Sequence, residues 1–233
     1  MDTILNIEHL NKKYFNKVAL EDINLSLSKG RILGLMGPNG SGKSTLLKII
    51  AGLQQKNSGT VLIQGQPVGL ETKKLVSFLP DRNVLFPGMT VEDALMFYRN
   101  YFEDFDYNKA MNMMSFMRLE VKQKVQTMSK GMVEKLNLLL AFSRRASLYI
   151  LDEPLGGVDP VAREQIISTI LSTYSVNSSM IISTHLVNDV ESVFDDVCFI
   201  GEGKIILQGS AEELRNSTGK SIDQLYIQTF KDF

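Results

Sequence analysis

The stretch Gly37–Thr45, which reads Gly-Pro-Asn-Gly-Ser-Gly-Lys-Ser-Thr, carries residue types at a spacing that binds phosphate. It fits the pattern G-x-x-x-x-G-K-[ST] at every specified position. Glycines let backbone N–H groups converge on an anion, and a helix start adds partial positive charge. An ordinary glycine-rich turn before a helix is the alternative. We predict that the whole stretch binds a nucleotide: Gly37, Pro38, Asn39, Gly40, Ser41, Gly42, Lys43, Ser44 and Thr45.

A second set of candidate residues is the adjacent carboxylate pair Asp152-Glu153, which ends the apolar run that starts at Leu148. Ligands bind at the carboxyl ends of the strands in open α/β sheets. Asp152, together with the Ser44 hydroxyl, can therefore hold Mg²⁺, while Glu153 can accept a proton from an attacking water. The alternative is an acidic helix cap, which the upstream phosphate loop disfavours.

Two further residues could contact phosphate. His185 follows an apolar strand, where it can hydrogen-bond a γ-phosphate or be an ordinary strand-end histidine. Ser129-Lys-Gly-Met132 precedes an apolar helical pattern, so its serine and the helix start could form a second anion site or a plain helix cap. Tyr14 is predicted at a turn between strands, either as a surface aromatic or as a stacking platform for a base.

The elements that would position these residues alternate between strand and helix along most of the chain. The Gly37–Thr45 loop lies between an apolar strand and a helix, and a proline-started helix follows Asp159. Such alternation predicts an α/β fold with a mostly parallel sheet. The predicted strands are Ile4–Leu10, Val18–Leu20, Ile23–Leu27, Ile32–Met36, Gly59–Ile63, Leu75–Leu79, Leu148–Leu151, Met180–Ser183, Val197–Ile200 and Lys204–Gln208. The predicted helices here are Leu46–Ala51, Val161–Tyr174, Leu186–Phe194 and Ala211–Arg215.

Residues 81–145 depart from this alternation and read as helix. Thr90 starts a capping box, a second helix covers Tyr107–Leu119, and a third begins after Ser129. The methionines between Met111 and Met128 favour core packing over a docking surface. The aromatic residues Phe86, Phe97, Tyr101 and Phe105 add apolar surface, so part of the segment could still face a partner.

Composition excludes several classes of protein. The chain has 233 residues, 44% of them hydrophobic, a net charge of −1 and one cysteine, Cys198. A near-neutral charge argues against a nucleic-acid partner, and a single cysteine excludes an internal disulfide. No apolar run approaches the ~18 residues that cross a membrane, and the N-terminus lacks signal-peptide features. We expect a cytoplasmic protein without membrane spans.

In combination and order, these motifs resemble the nucleotide-binding subunit of an ATP-binding cassette (ABC) transporter, over about residues 1–212. The resemblance implies a P-loop NTPase (RecA-like) fold with an N-terminal antiparallel β part. It implies a core of residues 1–80 and 146–212, an inserted helical subdomain of residues 81–145 and a tail of residues 213–233. It further implies that Tyr14 stacks on adenine, that Ser129 and Gly131 bind the γ-phosphate held by a second subunit, and that Asp159 belongs to the dimer interface.

The chain departs from the family pattern at two places. The usual signature Leu-Ser-Gly-Gly-Gln reads Met128-Ser-Lys-Gly-Met132, which is similar to bacterial exporter ATPases with a separate membrane subunit. Asp81 stands where the family has a Gln that contacts Mg²⁺ and the membrane subunit. Asp81 is either a Mg²⁺ ligand, which we favour, or a residue that couples to the partner.

The expected function is ATP hydrolysis, with ATP and Mg²⁺ bound by a homodimer or by this chain with a paired cassette chain. Glu153, His185 and Lys43 are the expected catalytic residues. A separate transmembrane subunit would hold the protein at the inner face of the membrane and export a drug, an antimicrobial peptide or a related amphipathic substrate. The alternative is a soluble ABC ATPase without a transport role, of the iron–sulfur assembly scaffold type.

Overall fold

The computed structural model of the protein describes residues 3–173 and 178–231. Ten strands and nine α-helices lie in these ranges. The strands are β1 (Thr3–Tyr14), β2 (Lys17–Ser28), β3 (Ile32–Met36), β4 (Ser58–Ile63), β5 (Gln66–Pro67), β6 (Val76–Leu79), β7 (Leu148–Asp152), β8 (Ser179–Thr184), β9 (Asp196–Gly201) and β10 (Lys204–Ser210). The α-helices are α1 (Lys43–Ile50), α2 (Leu70–Leu75), α3 (Val91–Tyr101), α4 (Tyr107–Met117), α5 (Lys130–Phe142), α6 (Pro160–Thr173), α7 (Val187–Val190), α8 (Ala211–Thr218) and α9 (Ile222–Phe230).

The strands form two sheets. The first is antiparallel and has the order β2-β1-β4-β5. The second has the order β10-β9-β3-β8-β7-β6, in which every neighbouring pair except β10 and β9 is parallel. The mixed architecture confirms the predicted α/β class with a mostly parallel sheet and an antiparallel N-terminal part.

The register of the parallel sheet determines which chain segments meet at its carboxyl edge. Met36 of β3 pairs with Thr184 of β8, and Asp152 of β7 pairs with Ser183 of β8. The residues that follow these three strand ends therefore leave the sheet side by side. They are the phosphate loop, Glu153 and His185.

The core is divided between the two faces of the parallel sheet because neighbouring strand residues point to opposite faces. Leu33 and Leu35 of β3 face a cluster with the antiparallel sheet and α1, while Ile32 and Met36 face a cluster with α3–α6. Cys198 is fully buried, and burial raises the pKa of its thiol to about 12. Cys198 therefore acts as a small hydrophobic residue of the core.

The helices between β6 and β7 begin as the sequence predicts. Thr90 and Asp93 form the predicted capping box at α3, and Ser129 caps α5. Met114 and Met117 are buried, and Met111, Met113 and Met128 pack against the same core, which confirms the packing interpretation. Phe97 and Tyr101 are exposed and stack on each other with 4.5 Å between ring centroids.

Several local predictions were wrong. Val18–Leu20 is not a separate strand but the start of β2, since Lys17 already pairs with Tyr14. Leu75 ends α2, which the sequence analysis did not predict, so the following strand begins at Val76. The predicted helix over Leu186–Phe194 is shorter: α7 gives way to a 3₁₀ turn at Glu191–Val193. The end of the predicted helix at Tyr174 lies outside the described residues.

No helix in the described part of the chain is long and apolar enough to cross a lipid bilayer.

Candidate functional site

Only glycine fits at two positions of the phosphate loop, at Gly37 because space is short and at Gly42 because of its backbone conformation. A Cβ at Gly37 would lie 2.1 Å from the carbonyl oxygen of Ile200. Gly42 has φ +112°, a region that side chains disfavour, and it begins α1 without a side-chain cap. The first N–H groups of α1 therefore remain available to an anion.

Lys43 is held inside the loop. Its Nζ donates to the carbonyl oxygens of Gly37 at 2.7 Å and Pro38 at 3.2 Å, and lies 3.6 Å from Glu153 Oε1. Burial lowers the pKa of the Lys43 ammonium, and the charges of Glu153 and Asp152 oppose that shift. Lys43 thus joins the loop to the carboxylates at the end of β7.

Asp152 is 1% exposed, and its Oδ1 accepts a hydrogen bond of 2.6 Å from the Ser183 hydroxyl. Burial raises the pKa of the Asp152 carboxyl, and the hydroxyl groups of Ser183 and Ser44 act against this rise. The charges of Asp81 and Glu153 add to the rise. Asp81 and Ser44 line the same cavity. The structure therefore brings together Ser44, Asp81 and Asp152, the residues predicted for Mg²⁺.

Glu153 is the residue on which the strand ends converge. Its backbone has φ +52°, and its N–H donates to the Ser183 hydroxyl at 3.0 Å. Its Oε2 lies 2.8 Å from His185 Nδ1, while its Oε1 faces Lys43. A left-handed conformation outside glycine is uncommon and occurs often at active sites. Glu153 is thus oriented between a lysine and a histidine.

A cavity of about 340 Å³ opens beside this cluster. Its walls come from the phosphate loop, the β1–β2 hairpin, Asp81 and Glu153. The lining residues are Tyr14, Lys17, Ala19, Asn39, Gly40, Gly42, Lys43, Ser44, Thr45, Asp81 and Glu153. Gly37, Pro38 and Ser41 form the inner side of the loop, where Ser41 is buried.

Tyr14 also lines this cavity. It is the last residue of β1 rather than part of a turn, which corrects the sequence prediction. Lys12 Nζ lies 4.8 Å from the centroid of the Tyr14 ring, at a distance typical of cation–π contacts. The ring is 38% exposed, so it can offer surface to a base.

Ser129, Gly131 and Asp159 form a separate cluster, outside the cavity lining given above. The Ser129 hydroxyl accepts a hydrogen bond from Met132 N at 3.3 Å. Gly131 is buried, and a Cβ there would lie 3.2 Å from Ala162 and 3.6 Å from Asp159 Oδ2. Asp159 caps α6 through a 3.0 Å bond from Ala162 N.

Sequence reasoning missed Ser183, Lys17 and Ala19. Ser183 orders both Asp152 and Glu153, and its only signal was a hydroxyl at the end of an apolar strand.

A larger depression of about 590 Å³ lies near the end of α1, between Leu53 and Lys73. Neither Asp152, Glu153 nor His185 lines it, so its size does not mark it as the site of chemistry.

The family model described as "ABC transporter" matches residues 20–156. The chain belongs to the ABC transporter family. As a member, it is an ATP-binding ATPase of the cassette type.

Curated relatives of this ABC ATPase include two bacterial proteins. A linearmycin resistance ATP-binding protein of Bacillus subtilis is 31% identical over 224 residues, which span 93% of this chain and 72% of the relative. A lantibiotic transport ATP-binding protein of Streptococcus pyogenes is 30% identical over 207 residues, with 88% and 90% covered. Each relative is similar to this chain over most of the relative's own length.

Solved structures agree with this assignment. An ATP-binding subunit of an ABC transporter superposes with a TM-score of 0.86 at 27% identity, covering 97% of this chain and 99% of that one. A bacterial ABC cassette solved as a dimer has a TM-score of 0.78 at 20% identity, covering 88% and 98%. At that identity the second match supports the fold alone. The P-loop ATPase fold expected from the sequence is confirmed.

Proposed function

We propose that this ABC ATPase is the motor subunit of an exporter and acts through a separate membrane subunit. The observation that carries the motor role is the position of Glu153, which lies 3.6 Å from Lys43 Nζ and 2.8 Å from His185 Nδ1. A carboxylate oriented in this way can accept a proton from a water that attacks the γ-phosphate of ATP. Lys43 and the free N–H groups of α1 stabilise negative charge on the phosphates.

The residues around the cavity also fit Mg²⁺. Asp152 Oδ2 is buried and has no hydrogen-bond partner among the described residues, and oxygen atoms are the ligands that Mg²⁺ prefers. Ser44, Asp152 and Asp81 would hold the ion. When bound, Mg²⁺ neutralises phosphate charge. Tyr14 would stack on adenine, and His185 would hydrogen-bond the γ-phosphate.

The second part of the proposal is a dimer in which each ATP lies between two chains. Ser129 and Gly131 lie apart from the cavity of their own chain, which suits a role in the site of a second chain. Asp159, packed beside Gly131, would lie at the same interface. The second chain is either another copy or a paired cassette chain.

The proposed transport role follows the relatives. They are named for linearmycin resistance, lantibiotic transport and Nod factor export, and the last, from Cupriavidus metallidurans, is 30% identical over 225 residues. A drug, an antimicrobial peptide or a related amphipathic molecule is the substrate class that fits. The protein would lie in the cytoplasm and bind the inner face of the membrane through its membrane subunit.

A size-exclusion experiment tests the dimer. Glu153→Gln keeps the shape of the site but removes the proton acceptor, so ATP should accumulate and hold two chains together. We expect this variant to elute as a monomer without nucleotide and as a dimer with ATP and Mg²⁺. The double variant Glu153→Gln, Lys43→Ala should stay monomeric. A monomer under both conditions, alone and after mixing with a paired cassette chain, would contradict the model.

Membrane association separates the transporter from the soluble iron–sulfur scaffold alternative. Expressed at native level with an affinity tag, the chain should sediment with membranes and co-purify with a polytopic protein of about six spans, each roughly 20 apolar residues long. Full recovery in the soluble fraction, with iron–sulfur assembly proteins attached, would support the alternative.

A further inference from the structure

The wall of the nucleotide cavity carries an excess of negative charge. Asp81 and Glu153 line the cavity beside Ser44, and the carboxyl of Asp152, which precedes Glu153 in the chain, has its pKa raised by burial and by the charges of these two residues. Two of their oxygen atoms, Asp152 Oδ2 and Glu153 Oε1, are buried without a hydrogen-bond partner among the described residues. An unpaired buried carboxylate oxygen is costly unless a cation or a donor reaches it.

Lys43 cannot balance these charges alone. Its Nζ already donates to two carbonyl oxygens of the phosphate loop, and its ion pair among the described residues is with Glu153, at 3.6 Å. The other cation of the cavity lining, Lys17, pairs with Tyr14 in the β1–β2 hairpin, next to the ring that would stack on a base. The Asp81–Asp152 side therefore meets incoming phosphates as a negative surface.

Like charges a few ångströms apart repel strongly in a cavity where the effective dielectric constant is low. A nucleotide triphosphate is itself highly negative, so it meets this repulsion unless a cation lies between. An amide at position 81 would offer an oxygen ligand without the charge. The part of the repulsion that arises at position 81 is therefore due to the charge of its carboxylate.

We propose that Asp81 makes nucleotide binding by this chain depend on a divalent cation, which binds to Asp81, Asp152 and Ser44 before or together with the nucleotide. This inference rests on the proposed function, since it concerns the same site. It predicts that the nucleotide-free chain binds the cation by itself. It also predicts that cation and nucleotide each strengthen the binding of the other by the same factor.

The test measures binding without turnover. The affinity of the non-hydrolysable analogue AMPPNP is measured by calorimetry, in Mg²⁺ and in EDTA, for the wild type, Asp81→Asn and Asp81→Gln. We expect the wild type to bind roughly tenfold or more tightly with Mg²⁺, and both variants to lose most of this ratio through stronger binding in EDTA. The matched control Glu103→Gln removes one exposed carboxylate elsewhere and should keep the wild-type ratio.

A second measurement uses Mn²⁺ as a spectroscopic probe for the nucleotide-free protein. Electron paramagnetic resonance should show one bound Mn²⁺ in the wild type, and weaker binding in Asp81→Asn and Asp152→Asn. Equal AMPPNP affinity with and without Mg²⁺ in the wild type, or an unchanged ratio in Asp81→Asn, would overturn the inference. A chain that binds as expected but neither hydrolyses ATP nor dimerises would instead contradict the proposed function.

Discussion

The two helix starts that the sequence marks as anion sites differ in how they are capped. Helix α1 begins at Gly42 in a left-handed conformation with no side-chain cap, whereas α5 begins at Ser129, whose hydroxyl accepts from Met132 N. The first start opens into the cavity beside Lys43. The second packs against the Gly156–Asp159 loop of its own chain.

This difference indicates that the two helix starts have different roles in nucleotide binding. The α1 start is preorganised for phosphate, because its N–H groups need no internal partner to be displaced. The Ser129 hydroxyl already caps its own helix but keeps its hydrogen atom to donate to a phosphate. One helix start can therefore bind nucleotide within one chain, and the other can act when a second chain brings nucleotide to it.

The largest effect is expected at the first start. Lys43→Ala removes the buried cation that joins the loop to Glu153, so ATP turnover should fall by about 10²–10³-fold and ATP affinity should fall with it. Lys48→Ala, in the last turn of the same helix, is the matched control and should change neither. Calorimetry measures the ATP affinity, and a phosphate-release assay measures the turnover. If Lys43→Ala kept the ATP affinity of the wild type, the α1 start would not be the nucleotide site of this chain.

A smaller and more selective effect is expected at the second start. Ser129→Arg places a bulky cation at the beginning of α5. It should block the closing of two chains around ATP and so abolish turnover, but the ATP affinity of the isolated chain should stay within about twofold of the wild type. Ser129→Ala should instead cost about 1 kcal/mol of stability from the lost cap. The ATPase assay and calorimetry are run on both.

Ser210→Arg is the control for the Ser129 variants, because Ser210 caps α8 in the same way. It should spare turnover. If Ser129→Arg lost ATP binding as fully as Lys43→Ala, Ser129 would belong to the site of its own chain, and the division between the two helix starts would be wrong.

The smallest effect is expected on stability, from a carboxyl group in α5, near the second helix start. Glu134 lies in α5, and burial raises the pKa of its carboxyl to about 7, against the charge of Lys130. Because the folded-state pKa lies above the unfolded one, the neutral carboxyl is favoured in the fold, and stability falls as pH rises from about 4.5 through 7. Glu134→Gln stays neutral, so its melting temperature should exceed that of the wild type by more at pH 8 than at pH 5.

Glu164→Gln, on the exposed side of α6, is the matched control for Glu134→Gln. Melting curves of the wild type and both variants between pH 5 and pH 8 check the prediction. A difference that is the same at both pH values would show that Glu134 is solvated, and that the α5 start carries no buried carboxyl.

Local interactions explain where the sequence analysis succeeded. The phosphate loop, the capping box of α3 and the Ser129 cap each involve residues a few positions apart, so their types and spacing determine the conformation. The same rule would have found α9, where Ser221 and Gln224 form a capping box that the analysis of the tail overlooked. Residues 213–231 contain α9 and the end of α8, with Tyr226 packed on Phe199.

The sequence by itself determined which groups could do chemistry: a glycine loop with Lys43, two carboxylates after a strand, and a histidine after another. Tertiary structure alone decided which of them meet. The contact of His185 with Glu153, the bond from Ser183 to Asp152 and the nearness of Asp81 join residues far apart in the chain. They depend on the register of parallel strands, which is set by packing of the whole sheet rather than by any local pattern.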